Sequence, residues 1–197
     1  MMMMTPRQFF STKLLSIEGG YSGDPDDSGN YLNGRLIGSK FGISASALAA
    51  HRGYRTLTVE DMKNLTAAEA LDIAMTDYFS AIGFFRLDWN IVTCSVVDMG
   101  FNAGPKMAAM MLQRLIHVAD DGLVGDFTAR AYHQWIASHG IADCAKRWRL
   151  ERQAYYALVV QRRPNQAKFL DGWNARAALF TQTGFLKEFN QQGVTNV

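Results

Sequence analysis

The chain has 197 residues, 48% hydrophobic and 19% charged, with a formal net charge of +2. That is enough length and apolar content to bury a core without disulfide or metal staples, and a charge so near balance excludes a strongly acidic protein and favours no class of ligand by itself. Cys94 and Cys144 are the only two thiols, fifty residues apart in apolar or helical surroundings; they suggest two buried free cysteines and no redox or metal motif.

Taken in chain order, Thr5-Pro6 is a helix start, followed by Phe9, Phe10, Leu14, Leu15 and Ile17 at near-helical spacing and closed by Gly19-Gly20. From Tyr21 to Gly42 the composition turns to Gly, Asp, Ser and Asn, which predicts a small Gly/Asp-rich β or loop region over 21–43. Helices are expected at Ser44 to His51, from Thr58 and Asp61 into Leu65, at Thr66 to Phe79, Thr93 to Asn102, Pro105 to Ile116, Gly125 to Gly140, Ile141 to Arg162 and Ala167 to Thr181. Thr58 with Asp61 and Thr66 with Glu69 have capping-box spacing. The reading is a mainly α chain, with a joint near Phe84 to Asp88 dividing an N-terminal lobe, 1–88, from a helical lobe, 89–197, packed as one unit.

The chemistry concentrates at Glu18-Gly19-Gly20-Tyr21. A carboxylate in the last turn of an apolar helix faces the negative end of the macrodipole, and burial would strip its hydration; both favour the protonated form that a general acid needs. Asp24, Asp26 and Asp27 follow in a turn-rich loop where carboxylates stay ionised, and two carboxyls in unlike surroundings are the pair that glycoside hydrolysis uses. On spacing alone, a surface Glu18 beside turn-capping aspartates is an equal reading. The loop from Asp24 matches a calcium loop at positions one, three, five and six but has Arg35 at twelve, where the bidentate Glu belongs. His51, His117, His133 and His139 form no HxxxH or HExxH group, and nucleophile elbows, GxGxxG and P-loop motifs are missing. No metal and no cofactor are expected.

Three motifs in order, Glu18-Gly19-Gly20-Tyr21, Asp24-Pro25-Asp26-Asp27-Ser28-Gly29 and Gly38-Ser39-Lys40-Phe41-Gly42-Ile43-Ser44, resemble the opening of glycoside hydrolase family 108, muramidases of phages and bacteria. Asp98 to Gly104, Leu112-Gln113, Asp121 to Thr128 and Gly172 to Arg176 resemble the peptidoglycan-related helical domain that accompanies it. The resemblance implies a lysozyme-like, two-lobed helical fold, a peptidoglycan substrate, no cofactor and Glu18 as the essential acid. By similarity to phage lysozymes, Asp27 takes the second carboxylate's role. Where the family has Thr soon after the Asp-Pro turn, this chain inserts Asn30 to Ile37 and offers Ser39 to orient water.

Tyr21 would stack on a sugar or pack under the loop, Asp24 would contact substrate, and Asp98 and Asn102, four apart on one helix face, would line a cleft or serve as internal hydrogen-bond partners. Residues 145–176 carry a net charge of +6, which would suit anionic wall polymers or form a solvated helix face. The expected activity is an endolysin-like N-acetylmuramidase, its rivals a lytic transglycosylase and a non-catalytic wall-binding component. The expected partner is the peptidoglycan glycan strand, with no nucleic acid and no stable membrane insertion. The start, Met1 to Phe10, has no basic region followed by an apolar one; the expectation is a monomer made in the cytoplasm and brought to the periplasmic wall by a holin or other export aid.

Overall fold

The computed structural model describes residues 4–14 and 20–191, and the chain divides into two units, Pro6–Tyr78 and Met1–Thr5 with Phe79–Val197. Both are dominated by helix, the strands among the described residues forming one short hairpin, as the mainly α reading anticipates.

The smaller unit begins with α1 (Pro6–Phe9), which widens into a π-type turn at Phe10–Leu14. Its sheet is β1 (Tyr31–Leu32) paired antiparallel to β2 (Arg35–Leu36), Tyr31 opposite Leu36 and Leu32 opposite Arg35. Asn33-Gly34, with φ of 50° and 77°, is the two-residue turn between them; both positions need the left-handed region, which Asn and Gly tolerate best. Helices α2 (Ala45–Arg52), α3 (Val59–Lys63) and α4 (Ala67–Ile73) follow, each started by a side-chain oxygen on a free N–H: Ser44 on Ala47, Thr58 on Asp61 and Thr66 on Glu69. At Thr58 the box is reciprocal, because the Asp61 carboxylate returns to the Thr58 N–H at 2.7 Å. At Thr66 it is half made: the Glu69 carboxylate turns to Arg52, at 2.7 and 2.8 Å, and ties α4 to α2. The unit buries Ile43, Ala45, Leu48, Ala49, Met62, Leu65, Ala70 and Ile73.

The larger unit is built around α5 (Ile91–Ala103), in which ten successive residues, Ile91 to Gly100, are buried. A helix buried on every side must be surrounded, and α6 (Pro105–Leu115) and α8 (Ile141–Arg162) pack on it, with α7 (Asp126–His139) and α9 (Leu170–Leu179) against α8. Close approach of the α6 start depends on Gly100, where an added Cβ would meet the Pro105 Cα at 3.3 Å. A final helix, α10 (Thr183–Gln191), lies beyond the last predicted one and holds Met4: Met4 N–H donates to the Phe189 carbonyl at 3.0 Å, and Trp89 Nε1 to the Met4 carbonyl at 2.6 Å.

The start of α5 differs from the expected Thr93. Asn90 is the cap, its side chain accepting from the Val92 and Thr93 amides at 2.9 and 3.2 Å. The Thr93 hydroxyl is instead buried, bonding to the Asp88 carbonyl at 2.7 Å and the Tyr132 hydroxyl at 2.8 Å. Burial pushes the Tyr132 phenol up to about 12 despite those bonds. Cys94 and Cys144 are free and buried, as expected, and burial raises both thiols, Cys94 well above its ordinary value.

Candidate active site

Glu18 lies outside the described residues, so the site is built from the chain that follows it. Ser22 and Ser39 exchange both backbone hydrogen bonds, at 2.8 and 2.9 Å, so that residue 39 runs directly beside Ser22, which is four residues after Glu18 in sequence. Tyr21 fixes the same crossing. Its hydroxyl donates to the Ile37 carbonyl at 3.2 Å and its ring lies over Gly38, where an added Cβ would sit 2.4 Å from Tyr21 Cε2. With φ at +98°, Gly38 is required both by its backbone and by the ring above it.

Between these strands the aspartates are organised by turns. Asp24 Oδ1 accepts from the Asp26 N–H at 2.9 Å, and the Asp24 carbonyl accepts from Asp27 N–H at 3.2 Å and from Asn30 Nδ2 at 2.9 Å. Asp27 caps the 3₁₀ turn Ser28–Asn30, Oδ1 accepting from the Gly29 N–H at 2.9 Å. Among the described residues no donor reaches Asp27 Oδ2, and the Ser39 hydroxyl has no partner. Asn30 is the buried hub: its carbonyl accepts from the Ile37 and Gly38 amides at 2.8 and 2.9 Å, which fastens the aspartate loop to the end of the hairpin.

Tyr21, Asp24, Asp27 and Ser39 therefore belong to one knitted loop cluster. A half-buried carboxylate with an oxygen that no donor reaches among the described residues can hold and polarise water. Two cations border the cluster that the sequence did not flag. Lys63 Nζ lies 5.5 Å from the Tyr21 ring centroid, and Lys40 Nζ donates to the Lys63 carbonyl at 2.5 Å. Their approach depends on a separation of 23 residues and leaves no local signal, whereas the Asn33-Gly34 hairpin turn is a signal the sequence does carry. Ser44, the end of the third motif, is the α2 cap.

Asp98 and Asn102 lie in the larger unit, and the burial of Asp98 corrects its cleft-lining expectation. The Asp98 side chain is 2% exposed; Oδ2 accepts from Arg152 Nη2 at 2.8 Å and Oδ1 from Arg176 Nη2 at 2.9 Å. Asn102 Oδ1 accepts from Arg152 Nη2 at 3.1 Å and the Tyr156 hydroxyl at 3.0 Å. They are the internal partners of the alternative reading. Burial alone would raise the Asp98 carboxyl, but the guanidiniums of Arg176 and Arg152 outweigh it and hold it below the usual carboxylate range. The same network removes Arg152, fully buried, from the basic face expected over 145–176. Among the described residues no cluster of three His, Cys, Asp or Glu could hold a metal, and no helix is long and apolar enough to cross a membrane.

Residues 11–104 match the family described as Glycosyl hydrolase 108, and residues 107–178 the family described as Predicted Peptidoglycan domain. The first match contains the whole loop cluster and continues through α5; the second starts in α6 and reaches α9. Among solved structures, that of SagA from Brucella abortus is similar over 90% of this chain and 91% of that one, with 25% identity and a TM-score of 0.72. No curated protein gives a match. Together the two matches indicate a peptidoglycan-hydrolysing glycoside hydrolase, similar over residues 11–104 to glycosyl hydrolase family 108 and over residues 107–178 to a predicted peptidoglycan domain.

Proposed function

We propose that the enzyme is an N-acetylmuramidase, hydrolysing the β-1,4 bond between N-acetylmuramic acid and N-acetylglucosamine. Glu18 protonates the leaving oxygen, and Asp27, with the Ser39 hydroxyl, holds the attacking water or stabilises the oxocarbenium-like state. The observation that carries this reading is the Ser22–Ser39 pairing, which sets the second and third candidate groups on a loop sewn to the chain four residues after Glu18. Asp27 Oδ2, without a donor among the described residues, is available for water. Tyr21 and Asp24 shape the substrate edge of that loop. In biological terms we read the protein as a phage endolysin acting in host lysis, released to the wall by a holin or other export aid and working as a monomer.

A lytic transglycosylase is the competing reading. It is favoured by one feature, the use of Asp27 Oδ1 as a turn cap, since intramolecular attack by the sugar's own 6-hydroxyl needs no second carboxylate. Digestion of purified sacculi by the wild type and by Glu18→Gln, with mass spectrometry of the products, separates the two. Reducing muramic ends released by the wild type and reduced at least 100-fold by Glu18→Gln are expected of an acid-dependent muramidase. Anhydro ends would transfer the enzyme to the transglycosylases, and equal release by both proteins would remove Glu18 from the chemistry.

A further inference from the structure

The larger unit exposes three large apolar side chains on two segments that are fastened together: Phe85 in a 3₁₀ turn, and Leu123 with Phe127 where a loop enters α7. Phe85 is 56% exposed, Leu123 54% and Phe127 66%. The Val124 N–H donates to the Ile82 carbonyl at 2.8 Å, Arg86 pairs with Asp126, and Gly83, with φ at +88°, lies so close to Val124 that an added Cβ would stand 2.3 Å from its carbonyl oxygen. The segment before Phe85 and the segment before Phe127 are thus held in one fixed arrangement.

The second loop is also clamped from beneath. Gln113 is buried and uses both ends of its amide: Nε2 donates to Asp121 Oδ1 at 2.8 Å, to the Leu123 carbonyl at 3.0 Å and to Thr128 Oγ1 at 3.2 Å, while Oε1 accepts from the Gly122 N–H at 2.8 Å. Along this loop Gly122 and Val124 are buried and Leu123 is exposed, as is Phe127 in the first turn of α7 that follows. Single exposed apolar residues are ordinary on a protein surface. A group of them displayed on rigidly held backbone is less so, because rigid aromatic side chains lose little entropy on binding and act as anchors.

Cations flank both rings. The Arg86 guanidinium lies 5.1 Å from the Phe85 ring centroid and that of Arg130 6.0 Å from the Phe127 ring, both at the solvent surface. Aromatic faces beside exposed guanidiniums, that of Arg86 shared with Asp126, complement a ligand with apolar C–H faces and carboxylates, and the peptidoglycan strand has both, in its pyranose rings and its stem peptides. Leu123, Phe127 and Arg130 fall within the residues that match the predicted peptidoglycan domain, while the polar residues Asp98, Arg152 and Arg176 at the centre of the unit are engaged with one another.

We infer that Phe85, Leu123 and Phe127, with Arg86 and Arg130, form a peptidoglycan-binding platform on the larger unit, which retains the enzyme on the intact wall. This inference rests on peptidoglycan being the substrate and does not depend on which bond is cut. The test is sedimentation of the full-length chain with purified sacculi in a Glu18→Gln background, so that binding is read without digestion. Adding Phe85→Ala and Phe127→Ala should weaken binding about tenfold, whereas adding Leu150→Ala, which removes a 64% exposed apolar side chain on α8, should change it less than twofold. Far-ultraviolet circular dichroism checks that each protein is folded. Binding by the doubly substituted protein within threefold of its parent, or an equal loss in the Leu150→Ala control, overturns the platform. Release of muramic ends by the wild type is read separately, so a failed platform leaves the hydrolase reading standing and the reverse also holds.

Discussion

Asp27 and Asp98 are both carboxylates in motifs of the same resemblance, yet the two units treat them in opposite ways. Asp27 sits in a loop held by backbone hydrogen bonds, one oxygen capping a turn and the other without a donor among the described residues. Asp98 is buried between two guanidiniums, every oxygen engaged. A carboxylate available for chemistry must keep part of its hydrogen-bonding capacity uncommitted, whereas one that supports a core must commit all of it. The difference teaches that spacing in a motif does not separate these roles; the partners do.

The comparison breaks most severely at Asp98. Asp98→Asn leaves Arg152 buried with its charge unbalanced, and a loss of about 3–5 kcal/mol is expected, read as a fall in Tm of roughly 10 °C or more. Because the folded carboxyl is held below its unfolded value, its contribution is fully present above the unfolded pKa of about 3.9 and disappears as pH falls through the lower folded value. The gap between wild type and Asp98→Asn should therefore be constant from pH 5 to 8, about the same size throughout, and close below about pH 4. A gap that persists at acid pH would mean that the charge is not what stabilises this centre.

Gly38→Ala attacks the other side of the comparison. The new methyl would collide with the Tyr21 ring and with the Ser22 carbonyl, 2.7 Å away, at a backbone angle that alanine resists. Displacing the loop by about an ångström should lower the rate of muramic-end release roughly 100-fold, with a smaller loss of stability than at Asp98. Wild-type rates in Gly38→Ala would show that the Tyr21–Ser39 crossing has no part in catalysis. The smallest effect is expected at Ser44→Ala, which removes the α2 cap and should cost about 1 kcal/mol by denaturant titration.

Much of the helical framework was legible in advance because its signals are local. Ile141–Arg162 begins and ends where its apolar spacing and flanking Gly140 predict, and Ser44, Thr58 and Thr66 cap the helices they precede. Thr93 failed as a start because its hydroxyl is drawn to Tyr132, 39 residues away, while Asn90 supplies the cap. In the same way Glu69 gave up its half of a capping box to Arg52. Local propensity loses wherever a distant partner offers a stronger bond.

The sequence by itself determined that the chain is a mainly helical protein with a glycine- and aspartate-rich interruption, and its three ordered motifs pointed to a wall-degrading hydrolase, because helix periodicity, capping chemistry and motif order are written within a few residues of each other. Only the tertiary structure decided which carboxylates are committed and which are not, that Ser39 lies beside Ser22, that Arg152 is inside, and that the segments carrying Phe85 and Phe127 are fastened to each other. Those facts arise from hydrogen bonds and ion pairs between residues far apart in the chain, whose strength depends on distance and on the exclusion of water, and neither quantity exists until the chain has folded.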